Sequence, residues 1–137
     1  MNFSISIPRQ ITYTIVPLAL IIMGDSILYV VLPTNFEFFM IDSYLGIPYE
    51  FWIGFILSIN RFVRFFSNIF SVKIFSILGF RNTILLACII GATSTLSYVV
   101  FKGVLLLIIA RIIWGLSYSI FRLGYQIRVF TFSSRNY

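Results

Sequence analysis

Histidine is absent from this 137-residue chain, and cysteine occurs once, as Cys88. The first absence removes the commonest general base and the commonest metal ligand together. The second excludes an intrachain disulfide. Charge is scarce as well: acidic and basic residues make up 10% of the sequence, where soluble domains carry about a quarter. No nucleophile–base pair and no set of metal ligands can be put together from what remains. The expectation is a protein that is not an enzyme, with no metal and no cofactor.

What fills the sequence is apolar. Hydrophobic residues make up 60% of it, and the mean hydropathy is +1.02. A small domain has too much surface for its volume to hide so much apolar matter from water. The expected surroundings are a lipid bilayer. The net charge of +6 would raise nucleic acid as a partner in a soluble protein. Here the basic residues are scattered among apolar runs and form no stripe, so no nucleic-acid partner is expected.

A bilayer core of about 30 Å takes about 20 helical residues. Four stretches have that length: 11–33, 51–72, 82–101 and 103–125, followed by a polar tail at 126–137. The first is interrupted by Pro17 and by Gly24-Asp25-Ser26. Only Arg9 is charged in the first ten residues, and no small-residue cleavage site follows, so this stretch is expected to remain as a span. The stretches are apolar all round and do not alternate, which argues for helices over a β-barrel. The fold expected is all-α: a single membrane domain over 1–137, a bundle of four transmembrane helices.

Basic residues orient the spans. The 36–50 connection has no Lys or Arg and holds Glu37, Asp42 and Glu50. Placing Arg9, Lys73, Arg81, Arg122, Arg128 and Arg135 inside puts six basic residues in and only Lys102 out. Both ends are therefore expected in the cytoplasm, in a bacterial-type inner membrane. Gly46-Ile47-Pro48 marks a turn, and Lys102-Gly103 makes a tight one.

Ionisable side chains at mid-membrane are costly and should face a bundle interior with a partner. Four are expected there: Asp25, Arg61, Arg64 and Arg111. Counting residues from the outer ends places Asp25, Arg61 and Arg111 within about one helical turn of the same depth. Asp25 is the sole acid in any span, so the arginines compete for it. Such a pair either fixes helix register or carries a proton when the arginine is drawn away. Arg61 and Arg64 share one face of span two, beside Asn60 and Asn68, and read either as an anion contact or as a packed polar stripe with Arg64 snorkelling. Ala87-x-x-x-Gly91 and Gly115-x-x-x-Ser119 allow close helix packing.

Gly24-Asp25-Ser26-Ile27 resembles the signature block of serine esterases named for the Gly-Asp-Ser pattern. That chemistry needs a histidine to take the serine proton, which this chain lacks. A second resemblance covers residues 11–125. Between spans two and three, major facilitator superfamily transporters carry G-x-x-x-D-R-x-G-R-R/K. Val72-Lys73-Ile74-Phe75-Ser76-Ile77-Leu78-Gly79-Phe80-Arg81 occupies that place; Gly79 and Arg81 match, while the Asp-Arg core is replaced by Ser76 and Ile77. Arg111-Ile112-Ile113-Trp114-Gly115 resembles the R-x-x-x-G element of span four in that family, and Asn60-Arg61-Phe62-Val63-Arg64 resembles span two of some exporting members.

The resemblance implies the N-terminal part of a secondary-active carrier for a small molecule. Arg111 would take part in proton coupling opposite Asp25, and Gly79 and Arg81 would be remnants of the cytoplasmic loop. The family fold has twelve spans in two halves with substrate between them. The chain would then be a fragment that does not transport alone, with the missing helices supplied by itself or a second chain. Two other readings stand beside it. One is a self-contained proton-coupled exporter acting as an oligomer, similar to the small multidrug resistance exporters. The other is a non-transporting membrane protein that binds partner helices through the Gly91 or Gly115 faces.

Overall fold

The computed structural model describes residues 9–41 and 45–134, and every regular element among them is an α-helix. These are α1 (Arg9–Thr34), α2 (Tyr49–Val100) and α3 (Val104–Ser133). All three are long and apolar enough to cross a membrane, the make-up of a multi-pass membrane protein. In lipid each backbone N–H and C=O must be satisfied within the protein, which a helix does by itself. Asp42 and Arg135 lie outside the described residues, and so does the side chain of Arg9.

Helix α1 runs unbroken through both Pro17 and Gly24-Asp25-Ser26, the residues that interrupt its apolar run. Membrane helices tolerate such residues because neighbouring groups re-satisfy the freed carbonyls. Near its end, Thr34 Oγ1 donates back to the Val30 carbonyl at 2.8 Å.

At 52 residues, α2 would extend about 78 Å if straight, more than twice a bilayer core. It is not straight. Gly79, at φ 73° and ψ 168°, leaves helical geometry in a region essentially reserved for glycine. The chain reverses there. Gly115 of α3 lies under Val63 and the Asn60 carbonyl of the first arm (49–78). Two residues on, Ser117 Oγ donates to the Ala87 carbonyl of the second arm (80–100) at 2.8 Å. Both arms therefore flank α3 at one level. The connection expected as a loop over 72–81 is helix on either side of one glycine. Likewise α3 continues to Ser133, so most of the stretch set apart as a polar tail is helical.

The turn from α2 to α3 passes through extended Phe101 and Gly103 at φ 101°. Gly103 donates its N–H to the Phe39 carbonyl at 2.8 Å, fastening the 36–41 segment to that turn. Phe36 stacks on Tyr49 with centroids 4.3 Å apart, closing the same end of the bundle.

Burial is inverted relative to a water-soluble fold. Phe65 and Ile69 stand 78% and 77% exposed, whereas Thr14, Asn60, Ser67, Thr83, Arg111 and Ser117 are inside. One apolar layer, built on Leu28, Leu32, Ile53, Ile56, Tyr98 and Leu107, fills the end near the α2–α3 turn. A second, on Ile84, Ala87, Ile120 and Phe121, fills the other. A polar layer lies between them.

Candidate functional site

The polar layer is assembled from all three helices. Asp25 of α1 and Arg111 of α3 are 4% and 0% exposed and form an ion pair through Asp25 Oδ1 and Arg111 Nη1. Gly24 allows the approach on which this depends: a Cβ there would stand 3.1 Å from Thr95 Cγ2 on the second arm of α2. Tyr98, from that same arm, directs its hydroxyl at Asp25 Oδ1 from 3.4 Å.

Arg111 is held from a third side. Its Nε donates to the Ile56 carbonyl at 3.2 Å and its Nη2 to the Leu57 carbonyl at 3.5 Å, both on the first arm of α2. A helical carbonyl has a second lone pair free for such a donor. The guanidinium carbon also lies 5.0 Å from the centre of the Tyr29 ring. Burying two charges costs several kcal/mol per ion, and only good geometry with further hydrogen bonds offsets it. Arg111 has those bonds; the Asp25 carboxylate has the pair and the tyrosine.

The polar layer extends sideways. Tyr29 donates to the Leu57 carbonyl at 3.3 Å, and Asn60 Nδ2 donates to the Tyr29 hydroxyl at 3.4 Å. Arg64 Nε in turn donates to the Asn60 carbonyl at 3.2 Å. The Arg64 guanidinium lies 4.6 Å from the centre of Tyr118, which stacks on Trp114. Trp114 is 3% exposed, and its indole Nε1 is buried without a hydrogen-bond acceptor. A carboxylate and two guanidiniums thus share one water-poor layer with a net positive charge. Chemically, such a layer can hold a proton on Asp25 when Arg111 shifts, or hold an anion against Arg64.

Of the expected residues, the structure joins Asp25, Arg111 and Arg64 in one network and separates Arg61 from it. Arg61 is exposed, beside a surface cleft of about 420 Å³ lined by Phe62, Phe65 and Phe66. Asn60 and Arg61 are neighbours in sequence, yet successive helical residues diverge by roughly 100°, so one points inward and the other out. Gly79 is the reversal point of α2. Arg81 is exposed at that end, far along the second arm from Tyr98. Gly115 admits the first arm of α2 against α3, and Gly91 sits where a Cβ would stand 2.8 Å from Ser117 Oγ. Ser26, from the esterase-like block, is exposed and donates to the Ile22 carbonyl at 2.8 Å.

Sequence reasoning missed Tyr29, Tyr98 and Trp114. Two of them carried a signal: Tyr29 follows Asp25 by one helical turn, and Trp114 follows Arg111 by three residues, so each shares a face with its charge. Tyr98 carried none, since a tyrosine near a span end reads as an interfacial anchor.

No family model matches the chain, nor does any curated protein or solved structure.

Proposed function

We propose that this protein is part of a secondary-active membrane carrier in which the Asp25–Arg111 pair is the proton-coupling element. The observation that carries the reading is this buried pair in a polar layer between two apolar ones. Charged residues so placed are expensive in a membrane and are retained where ions or protons move. Protonating Asp25 would release Arg111 to its carbonyl partners, Ile56 and Leu57, and loosen α1 from α3. Such a change of contacts is what a carrier needs to alternate between two states. The resemblance of Arg111…Gly115 and of Gly79 and Arg81 to major facilitator elements supports the same reading.

In this proposal each arm of α2 crosses the bilayer separately, giving four crossings with both ends in the cytoplasm of a bacterial inner membrane. The gathering of Lys73, Arg81, Arg122 and Arg128 at the end away from Glu37 and Glu50, which Lys102 alone joins, supports that orientation. Exposed Arg61 supports a further element: the chain joins another membrane helix, because a guanidinium facing lipid costs about 2.5–3.5 kcal/mol or more. The small-molecule substrate would be taken by the completed assembly, with Arg64 as the anion contact.

Infrared difference spectroscopy across a pH titration tests the coupling role. A carboxylic-acid carbonyl band that comes and goes with pH, and is lost in Asp25→Asn, is expected. A spectrum without that band makes the pair a structural fastener. In that case the alternative favoured by Arg61 stands, a membrane interaction protein without transport.

A further inference from the structure

At the end of the bundle opposite the Glu37 and Glu50 segments, α1, the second arm of α2 and α3 enclose an open cavity of about 580 Å³. Its walls have a polarity gradient. Arg81, Leu85 and Cys88 fall on one face of α2 and run from the Gly79 reversal toward the bundle interior. Tyr13 and Pro17 do the same along α1, and Arg128 of α3 stands at the mouth, its guanidinium carbon 3.9 Å from the centre of the Phe80 ring. The mouth is cationic and the floor apolar. Every acidic residue of the sequence lies within positions 25–50, and among the described residues the charged side chains of this end are Lys73, Arg81, Arg122 and Arg128.

We infer that this cavity binds an anionic phospholipid, its phosphate between Arg81 and Arg128 and its acyl chain along Leu85 and Cys88. Guanidiniums match phosphate oxygens with paired, charge-assisted hydrogen bonds. Basic pockets between membrane helices are suited to anionic headgroups on general electrostatic grounds. Leu85 is 52% exposed, which leaves the floor open sideways for a chain to pass into the bilayer. A free phosphate would use the mouth and leave that floor empty. The cavity lies at one end of the bundle, apart from the central Asp25–Arg111 layer, and a lipid held there does not depend on the carrier reading.

Cys88, half-buried on the floor and the sole thiol of the sequence, is the reporter. Its alkylation by N-ethylmaleimide is followed on the detergent-solubilised chain with added phosphatidylglycerol, phosphatidylcholine or inorganic phosphate. Phosphatidylglycerol is expected to slow alkylation severalfold, and the other two to leave it unchanged. Arg81→Gln should raise the phosphatidylglycerol concentration needed by on the order of tenfold to a hundredfold, the loss of one charge-assisted contact. Arg128→Gln should act alike, and exposed Arg81 carries the test if the half-buried Arg128 proves necessary for folding. Leu85→Trp, which fills the floor and keeps both arginines, should abolish protection. Equal protection by phosphatidylcholine overturns the role of charge. Protection by inorganic phosphate, or protection retained in Leu85→Trp, overturns the role of the acyl chain. No protection by phosphatidylglycerol overturns the site itself.

Discussion

Removing either member of the Asp25–Arg111 pair should destabilise the fold, and by unequal amounts. In Arg111→Leu the Asp25 carboxylate stays buried with only the Tyr98 hydroxyl, 3.4 Å away. A buried charge stripped of its partner costs about 3–5 kcal/mol, and we expect this variant in that range. In Asp25→Leu, Arg111 keeps the Ile56 and Leu57 carbonyls at 3.2 and 3.5 Å. Hydrogen bonds to charged groups contribute about 1.5–3 kcal/mol each, so the loss should be smaller, about 2–3 kcal/mol. The double variant removes both charges, and the sum of the single losses should exceed its loss by about 2–3 kcal/mol. Unfolding in mixed micelles of rising dodecyl sulfate content, followed by the fluorescence of Trp52 and Trp114, measures all three. Strict additivity would refute the argument that the two charges act as a unit. A costlier Asp25→Leu would show that the two carbonyls do not compensate Arg111.

Four further outcomes follow from the packing and exposure. Gly91→Ala places a methyl 2.8 Å from Ser117 Oγ, which is engaged with the Ala87 carbonyl, and should cost about 1–3 kcal/mol by overpacking. Gly54→Ala meets nothing within 4 Å and should be neutral or stabilising by about 0.5–1 kcal/mol in the same unfolding assay. Gly79→Ala keeps open space around it but forces φ 73° on a residue with a side chain. It should lose about 1–3 kcal/mol, seen as faster proteolysis at the reversal of α2. Arg61→Leu should leave the isolated chain as stable or more so, and ease membrane insertion of its segment by about 2.5–3.5 kcal/mol in a translocon-mediated assay. If that substitution instead unfolds the isolated chain, Arg61 has an interior role that its exposure does not show.

Much of the architecture was readable from residue order because lipid imposes a coarse rule. A run of about 20 apolar residues must be helical, and a charge within it must face protein. That rule, with a count of residues from the outer ends, sets Asp25 and Arg111 within about one helical turn of the same depth. The small-residue patterns at Gly91 and Gly115 were legible for a similar reason, since close backbone approach excludes a Cβ. The same counting placed Arg61 beside them and could not tell it from its competitor. Depth follows from sequence number, whereas the direction a side chain faces depends on how its helix is rolled against neighbours.

Composition and order alone account for the helices, for their apolar outward faces and for the confinement of acid to positions 25–50, because these depend on solvent and on short-range backbone chemistry. Three things required the packed chain. One is the reversal of α2 at a single glycine, with helix where a loop was expected. The second is the choice of Arg111 as the partner of Asp25, reinforced by carbonyls of residues 56 and 57 that no motif announces. The third is the cationic cavity shared by Arg81 and Arg128, residues remote in sequence. Each depends on where one helix lies against another, and helix rotation is settled by the fit of all the contacts at once.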